Sequence, residues 1–148
     1  TIFGDSILKD GNIDRRALGE LIFKDPKAKA TLEGIIHPIV RREFEEAVAS
    51  LDPGQILVYE IPLLVETGAG DRFDFIITVE SQADLRKQRL RDRGMFHSDI
   101  EKRMASQASE QERRAIADCV ITNDASEDEL LRQVENVWES TILPRAQI

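Results

Sequence analysis

The chain has 148 residues, of which 41% are hydrophobic and 32% are charged, and its formal net charge is −8. This balance predicts a single globular domain and argues against a disordered or membrane-spanning class, since no apolar run approaches spanning length. The negative charge argues against non-specific binding to nucleic acid. Cys119 is the only cysteine, which precludes an internal disulfide and favours a cytoplasmic protein.

The first third of the chain is predicted to be helical. Asp14 is a candidate N-cap, and Asp25-Pro26 combines a cap with a proline in the first turn of a second helix. His37-Pro38 is expected to interrupt this helix by a break or a kink, because the residue before a proline is pushed out of the α region. A further helix is expected over residues 40–51.

Three apolar runs, residues 56–61, 73–79 and Cys119–Thr122, then alternate with helical patterns. This alternation predicts an α/β fold in which crossovers connect the strands of a parallel sheet. The first run should end at Pro62, which cannot donate to a ladder. Glu60 and Pro62-Leu63-Leu64 would then lie at a carboxyl strand end, where such sheets bind ligands. The alternative is a core strand with one acid at its rim.

A serine followed three residues later by an acid predicts the starts of four helices in the second half of the chain. The four pairs are Ser81 with Asp84, Ser98 with Glu101, Ser109 with Glu112, and Ser126 with Glu129. The last helix is expected to bury an apolar stripe at helical spacing, formed by Leu130, Val134, Val137 and Trp138.

The helix that begins near Ser81 carries a stripe of arginines, Arg86, Arg89 and Arg93, at i, i+3 and i+7. Arginine binds phosphate oxygens in a bidentate fork, so the stripe suits a clamp for a polyphosphate. The alternative is a solvated face balanced by neighbouring acids. Arg103 and Gln107, one turn apart on the following helix, could reach the same ligand or face water.

The remaining candidates give weaker signals. A metal site is not expected, because His37 and His97 are far apart and no cysteine or second histidine has ligand spacing. Glu60 and Glu66 are two carboxylates near one predicted strand end, suited to a magnesium-bound water or a hydroxyl proton, but equally common as surface acids. Neither of the glycine-rich phosphate-loop patterns is found in these residues.

In order and spacing, these motifs resemble the dephospho-coenzyme A kinase family over nearly the whole chain. The most specific feature is Leu-Glu…His-Pro followed by Pro-Leu-Leu-x-Glu. The matching residues are Phe3-Gly4, Asp10-Gly11, Asp14 to Leu18, Ile22-Phe23, Leu32-Glu33, His37-Pro38, Pro62 to Glu66, Arg89, Arg93, Gln107 and Ala117 to Asn123.

The resemblance implies a three-layer, P-loop kinase-like parallel sheet in one domain over residues 1–148. It implies transfer of the γ-phosphate of ATP, with Mg2+, to the ribose 3′-hydroxyl of dephospho-coenzyme A. Residues 12–52 would form a helical acceptor side and residues 81–108 a lid, with Arg89 and Arg93 as catalytic residues. Acceptor binding is expected from His37, Pro38, Glu60, Pro62, Leu63 and Leu64, and nucleotide binding from Arg103, Gln107 and Asn123.

One departure from the family leaves alternatives open. The phosphate loop and the usual catalytic base of the family precede the position of Thr1, so an N-terminally truncated kinase is expected. A catalytically inactive partial domain that keeps the acceptor and lid surfaces is the alternative. A nucleoside monophosphate kinase is a weaker third, since it does not explain His37-Pro38. In the family, the strand before the phosphate loop lies between the strands matching 56–61 and 73–79. Without that strand, we expect a gap between these two runs, a collapsed sheet in which they pair directly, or another segment in the slot.

Overall fold

The protein is described by a computed structural model that covers residues 2–146. The chain divides into two compact units, Thr1–Leu57 and Val58–Ile148. The predicted acceptor region, residues 12–52, falls within the first unit, and the predicted lid, residues 81–108, falls within the second. The single-domain arrangement stays a prediction.

The first unit begins with a small antiparallel hairpin. Strands β1 (Leu8–Lys9) and β2 (Asn12–Ile13) pair through Leu8 with Ile13 and Lys9 with Asn12. The two residues between the strands, Asp10 and Gly11, have φ of 52° and 78°. Positive φ at both positions of a two-residue loop matches the right-handed twist of the strands, and Asp-Gly favours this turn.

Two helices complete this unit, and the predicted start signals of both are confirmed. Helix α1 (Arg15–Lys24) begins where the Asp14 side chain accepts hydrogen bonds from the Arg16 and Ala17 N–H groups. Asp25 ends α1 and caps α2 (Pro26–Ala49) through the Lys27 and Ala28 N–H groups.

The helix does not break at His37-Pro38, so the predicted break is wrong, while the alternative of a kink stays a prediction. Helix α2 runs through Pro38 as one element of 24 residues. Proline removes one hydrogen bond and crowds the carbonyl of the residue four positions earlier, which here is Gly34. Apart from its chain neighbours and the nearby backbone of α2 itself, nothing lies within 4 Å of the position that a Cβ of Gly34 would occupy. Many further intrahelical hydrogen bonds outweigh the loss of one, so the helix continues.

The second unit contains a parallel pair of strands, which confirms an α/β fold with a parallel sheet. Strand β3 (Ile77–Glu80) pairs with β4 (Cys119–Thr122) in a register from Ile77 opposite Cys119 to Glu80 opposite Thr122. The predicted boundaries of β4 are confirmed. β3 is shorter than the predicted 73–79 run and ends one residue later, at Glu80. Before β3, the Phe73 N–H donates to the Gly70 carbonyl of a 3-10 turn at Gly70–Arg72. The Ile76 N–H donates to the Asp118 carboxylate at 2.8 Å, so neither N–H group joins the ladder.

The predicted strand over residues 56–61 is wrong. These residues belong to neither of the two ladders that the described part of the chain forms. An apolar, β-branched run becomes a strand only when a neighbouring backbone accepts and donates its ladder bonds. Of the three arrangements expected for runs 56–61 and 73–79, direct pairing is therefore not found in the described residues. Tyr59, within the second unit, instead stacks on Phe73 with ring centroids 6.4 Å apart.

Helices surround the parallel pair of the second unit. They are α3 (Leu64–Thr67), α4 (Ala83–Asp92), α5 (His97–Ala105), α6 (Glu110–Ile116), α7 (Glu127–Val137), a π-helical segment at Trp138–Ile142, and α8 (Leu143–Ala146). Ile100 of α5 and Ile121 of β4 are buried in this unit. None of the helices in the described residues is both long and apolar enough to cross a membrane.

Two of the four predicted serine caps are confirmed. Ser109 and Glu112 form a reciprocal capping box at the start of α6, and Ser126 caps α7 by accepting from the Glu129 N–H. Helices α4 and α5 are present as predicted, but Ser81 and Ser98 do not cap them: the N-cap residues are Gln82 and Phe96, and neither forms a side-chain cap. Ser81 instead contacts Arg89, and Glu101 pairs with Lys87, as described below.

The predicted burial of the last helix is only partly correct. Leu130 and Val137 are half-buried, whereas Val134 and Trp138 are exposed. Helix α7 packs on β4, and Gln133 hydrogen-bonds both the N–H and the C=O of Thr122. One side chain thus pairs with the backbone of β4 as a neighbouring strand would.

Candidate functional site

The carboxyl ends of β3 and β4 bring one predicted arginine to one predicted nucleotide-binding residue. The Arg89 guanidinium, on α4, donates through Nη2 to Asn123 Oδ1 at 3.2 Å. Its Nη1 lies 3.4 Å from Ser81 Oγ. All three side chains are half-buried. Because Ser81 follows β3 and Asn123 follows β4, Arg89 joins the ends of both strands.

A second contact at this edge replaces the predicted serine cap of α4. Asp124 Oδ1 accepts the Gln82 N–H at 2.8 Å. This backbone hydrogen bond, followed by one from the Ser81 hydroxyl, lowers the pKa of Asp124. An acid from the residue after Asn123 therefore satisfies the backbone N–H at the start of the basic helix, which fixes that helix end against β4.

The other cations of α4 have different environments. Arg86 is half-buried, and its Nε is buried without a hydrogen-bond partner in the described residues. Arg93 is exposed at the end of the helix. Lys87 Nζ lies 2.8 Å from Glu101 Oε1, which lowers the pKa of Glu101 and joins α4 to α5. Glu101, predicted as part of a cap, therefore serves an interhelical ion pair.

Below this edge lies a buried ion pair that the sequence reasoning missed. Glu80, the last residue of β3, is only 3% exposed. Its two carboxylate oxygens accept from Arg113 Nε at 2.7 Å and Arg113 Nη2 at 2.6 Å. The carboxylate raises the pKa of the Arg113 guanidinium. The bidentate geometry is the strong form of the arginine–carboxylate contact.

The same arginine reaches the turn that contains Gln107. Arg113 Nη1 donates to the Ala108 carbonyl, while the Ala108 N–H donates to Glu66 Oε1 at 2.7 Å. Both backbone polar groups of Ala108 are thus held by side chains from α6 and α3. Gln107 precedes this residue, is half-buried, and its amide forms no hydrogen bond within the described residues.

The remaining predicted residues are distributed over the two units. His37 and Pro38 lie exposed on α2 in the first unit. Glu60, Pro62 and Leu63 are exposed in the second unit, whereas Leu64 is half-buried in α3. Arg103 is exposed on α5 and forms no side-chain hydrogen bond or ion pair within the described residues.

The acidic side chains do not build a protein-held metal site. The described residues contain no group of three histidine, cysteine or acidic side chains that could hold a metal ion. Glu66 hydrogen-bonds the Ala108 N–H, and Glu80 is paired with Arg113. A Mg2+ ion that accompanies a nucleotide is usually bound by phosphate oxygens and only one or two carboxylates. These residues do not by themselves fit a complete Mg2+ site.

The geometry at the β3 and β4 ends suits recognition of a charged, planar ligand. Arg89 offers guanidinium donors for phosphate oxygens, and the Asn123 amide offers a donor for a base once its oxygen accepts from Arg89. Arg93 and Arg103 are exposed cations on the neighbouring helices. The described groups can bind and orient phosphates.

Two functional contacts could not have been found from local spacing. Glu80 and Arg113 are 33 residues apart, and Glu66 and Ala108 are 42 apart. One signal was available for the first: an acid directly after an apolar strand needs a buried cation if the strand end is covered. No comparable signal identifies which of the many arginines supplies it.

Comparisons with known proteins agree on one family. The model of the dephospho-CoA kinase family (CoaE) matches residues 1–129. A dephospho-CoA kinase of Frankia casuarinae is 41% identical over 136 residues, and the match covers 92% of this chain but only 59% of that protein. The chain therefore spans less than two thirds of the length of this relative.

Two solved structures resemble the fold. The crystal structure of TT1252 from Thermus thermophilus matches with a TM-score of 0.77 and 33% identity, over 95% of this chain and 73% of that one. A dephospho-CoA kinase from Campylobacter jejuni matches with a TM-score of 0.60 and 27% identity, over 90% of this chain and 70% of that one.

Proposed function

Because the chain belongs to the dephospho-CoA kinase family, we propose that this protein transfers the γ-phosphoryl group of ATP to the ribose 3′-hydroxyl of dephospho-coenzyme A. This reaction is the last step of coenzyme A biosynthesis, and we infer a cytoplasmic enzyme with these two small molecules as its partners. The contact between Arg89 and Asn123 carries the proposal, because it unites a phosphate-binding group and a base-binding group at one sheet edge.

The roles at this edge follow from the chemistry of phosphoryl transfer. Catalysis of this reaction depends mostly on positioning and on stabilising the charge that spreads over the transferred group. Arg89 and Arg93 are proposed to supply that charge from residues 81–108, which act as a lid. Arg103 and Gln107 are proposed to contact the nucleotide, with Asn123 near its adenine.

The acceptor side is proposed to use residues 12–52 together with the loop after residue 60. His37 and Pro38 would contact dephospho-coenzyme A from α2, and Glu60 with Pro62, Leu63 and Leu64 would line the cleft. Support comes from the sequence resemblance and from the exposure of His37, Pro38, Glu60, Pro62 and Leu63, which leaves their side chains accessible to a ligand. Mg2+ is proposed to arrive with the phosphates of ATP and to neutralise their charge.

The finer architecture is also a proposal. We infer that β3 and β4 are part of a three-layer, P-loop kinase-like sheet within a single domain. The likeness to the Campylobacter jejuni dephospho-CoA kinase supports this inference.

A second candidate function has one observation in its favour. The 148 residues contain no G-x-x-x-x-G-K-[ST] pattern, the loop whose backbone amides and lysine hold the phosphates in P-loop kinases. A domain that binds the acceptor and the nucleotide without turning them over would fit this composition. The two candidates share their binding surfaces and differ only in turnover.

A coupled assay of ADP formation separates the two candidates. The proposed function requires that ADP release by the purified full-length protein depend on both ATP and dephospho-coenzyme A. The same assay on residues 1–148, alongside calorimetric binding of each substrate, shows whether this segment binds without turnover. The proposed function is contradicted if ADP forms at the same rate without an acceptor, or if a compound other than dephospho-coenzyme A is the acceptor.

A further inference from the structure

We propose that Glu80, Arg113 and Glu66 are positioning residues that hold the turn at residues 106–109 and thereby present Gln107 to the nucleotide. The inference rests on the proposed function only in taking Gln107 as a nucleotide contact. None of the three positioning residues needs to touch a substrate, because Arg113 and Glu66 hold the backbone of Ala108 and Glu80 holds Arg113.

The first step of the argument is the rigidity of the anchor. Glu80 is the last residue of β3 and is 3% exposed, so its carboxylate is fixed by the sheet. Arg113 holds both oxygens of that carboxylate, and its remaining Nη1 donates to the Ala108 carbonyl. One guanidinium therefore transmits the position of a strand end to the turn before α6.

The second step is that the turn is held from the opposite side as well. The Ala108 N–H donates to Glu66 Oε1 at 2.7 Å, and Glu66 belongs to α3. The next residue, Ser109, forms a reciprocal capping box with Glu112. The residue after Gln107 thus has neither backbone polar group free, and the one after that is a fixed helix cap.

The third step concerns Gln107 itself. Its side chain forms no hydrogen bond within the described residues, so its amide donor and acceptor are available to a ligand. A side chain on a mobile turn would lose entropy each time it bound, whereas a turn held at the adjacent peptide has already lost that freedom. Positional errors near 1 Å can cost about a hundredfold in rate, so such support is functionally significant.

A purely structural role is the competing explanation, because Arg113 also joins α6 to β3. Buried ion pairs contribute little net stability compared with apolar side chains of similar size. A pair of methionines at both positions could therefore replace the structural contact but not the bond to the Ala108 carbonyl. This difference allows the two explanations to be separated.

The test compares Arg113→Met with Arg114→Met in the full-length protein. Arg114 is the neighbouring arginine on α6 and pairs with Glu110 at 2.7 Å on the exposed face, so it is a matched control. Arg113→Met is expected to raise the Kd for Mg-ATP about tenfold and to speed hydrogen exchange at the Ala108 amide. Arg114→Met should change neither by more than about twofold.

The double variant Glu80→Met/Arg113→Met decides between positioning and structure. Its unfolding midpoint should recover towards that of the wild type, because no buried charge is left unpaired. Its Kd for Mg-ATP should stay raised about tenfold, because the Ala108 carbonyl has still lost its donor. Recovery of the Kd together with the stability would overturn the proposal.

Glu66 provides an independent test that needs no change to the core. Glu66→Ala removes the acceptor of the Ala108 N–H, whereas Glu66→Gln keeps a carbonyl oxygen there. The Kd for Mg-ATP should rise in the alanine variant and stay within about twofold in the glutamine variant. Equal Kd values in the two variants contradict the proposal even if the Arg113 variants do not fold.

Failure of the positioning proposal can be distinguished from failure of the proposed function. Affinity for Mg-ATP and exchange at Ala108 require no turnover, so they report on the turn alone. Turnover of dephospho-coenzyme A by the wild type reports on the function. If the wild type turns over dephospho-coenzyme A but none of the variants changes the Kd for Mg-ATP, only the positioning role is refuted. If the wild type shows no turnover but the variants change the Kd as expected, only the assigned reaction is refuted.

Discussion

Replacing Arg113 with methionine is expected to be among the most destabilising single changes in the unit Val58–Ile148. The change removes the partner of Glu80, whose carboxylate is 3% exposed and accepts from Arg113 at 2.7 and 2.6 Å. Methionine fills much of the space of the arginine stem but offers no donor. The Glu80 carboxylate is then left buried without a cation.

The expected cost follows from the burial of the two partners. Breaking a buried ion pair by removing one member costs about 3–5 kcal/mol. The Arg113 side chain is 21% exposed, so water can replace part of the guanidinium, and we expect a value near the lower end, about 3 kcal/mol. For a chain of this size, that loss lowers Tm by roughly 10 °C.

Urea unfolding provides the measurement. Trp138, the only tryptophan of the chain, lies in the same unit and reports its unfolding by fluorescence. Arg114→Met, which removes an exposed pair on the same helix, serves as the control and should cost less than about 1 kcal/mol. If Arg113→Met costs no more than this control, Glu80 is not a buried charge that depends on Arg113, and the reasoning is refuted.

Three further changes test other contacts. Arg89→Ala should lower kcat more than it raises KM for the acceptor, and Arg89→Lys should restore activity only partly, because lysine lacks the planar fork. Ser109→Ala should cost about 1 kcal/mol at neutral pH. Since Ser109 lowers the pKa of Glu112 below 4.5, this difference should shrink as the pH falls through that lowered pKa. Pro38→Ala should raise stability by about 1–3 kcal/mol, by restoring a helix hydrogen bond, while weakening acceptor binding.

Each of these changes has a control or an outcome that contradicts it. Arg91→Ala removes a charge from the same helix and should leave kcat nearly unchanged. If Arg89→Ala and Arg91→Ala lower kcat equally, the arginine stripe is better explained as a solvated helix face. Ser98→Ala is the control for Ser109→Ala, because Ser98 has the same spacing to an acid but caps no helix. It should leave the Tm nearly unchanged. Destabilisation by Pro38→Ala would show that the proline ring packs usefully in α2.

Local sequence signals determined several features of this protein correctly. Asp14, Asp25-Pro26, Ser109 and Ser126 cap helices as predicted, because a cap needs only a side-chain oxygen and the N–H groups two or three residues later. The boundaries of β4 were predicted for a similar reason, since Asn123 and the acid after it end a short β-branched run. The order of motifs along the chain was also sufficient to identify the family.

The same reasoning failed wherever a residue had a choice of partners. Ser81 and Ser98 carry the spacing of a cap, but Ser81 lies beside Arg89, and Glu101 pairs with Lys87. Pro38 carries the signal of a helix break, but the surrounding hydrogen bonds of α2 maintain the helix. Local spacing lists the available partners, and tertiary packing selects among them.

The tertiary structure alone decided the contacts between distant residues. Residues 56–61 have the composition of a strand, yet they join no ladder in the described part of the chain, because ladder bonds come from another segment. The Arg89–Asn123 contact and the Glu80–Arg113 pair link residues 34 and 33 positions apart. Such separations are set by how β3 and β4 align and how the helices cross between them. Composition and periodicity specify each element, whereas register and packing determine which side chains meet.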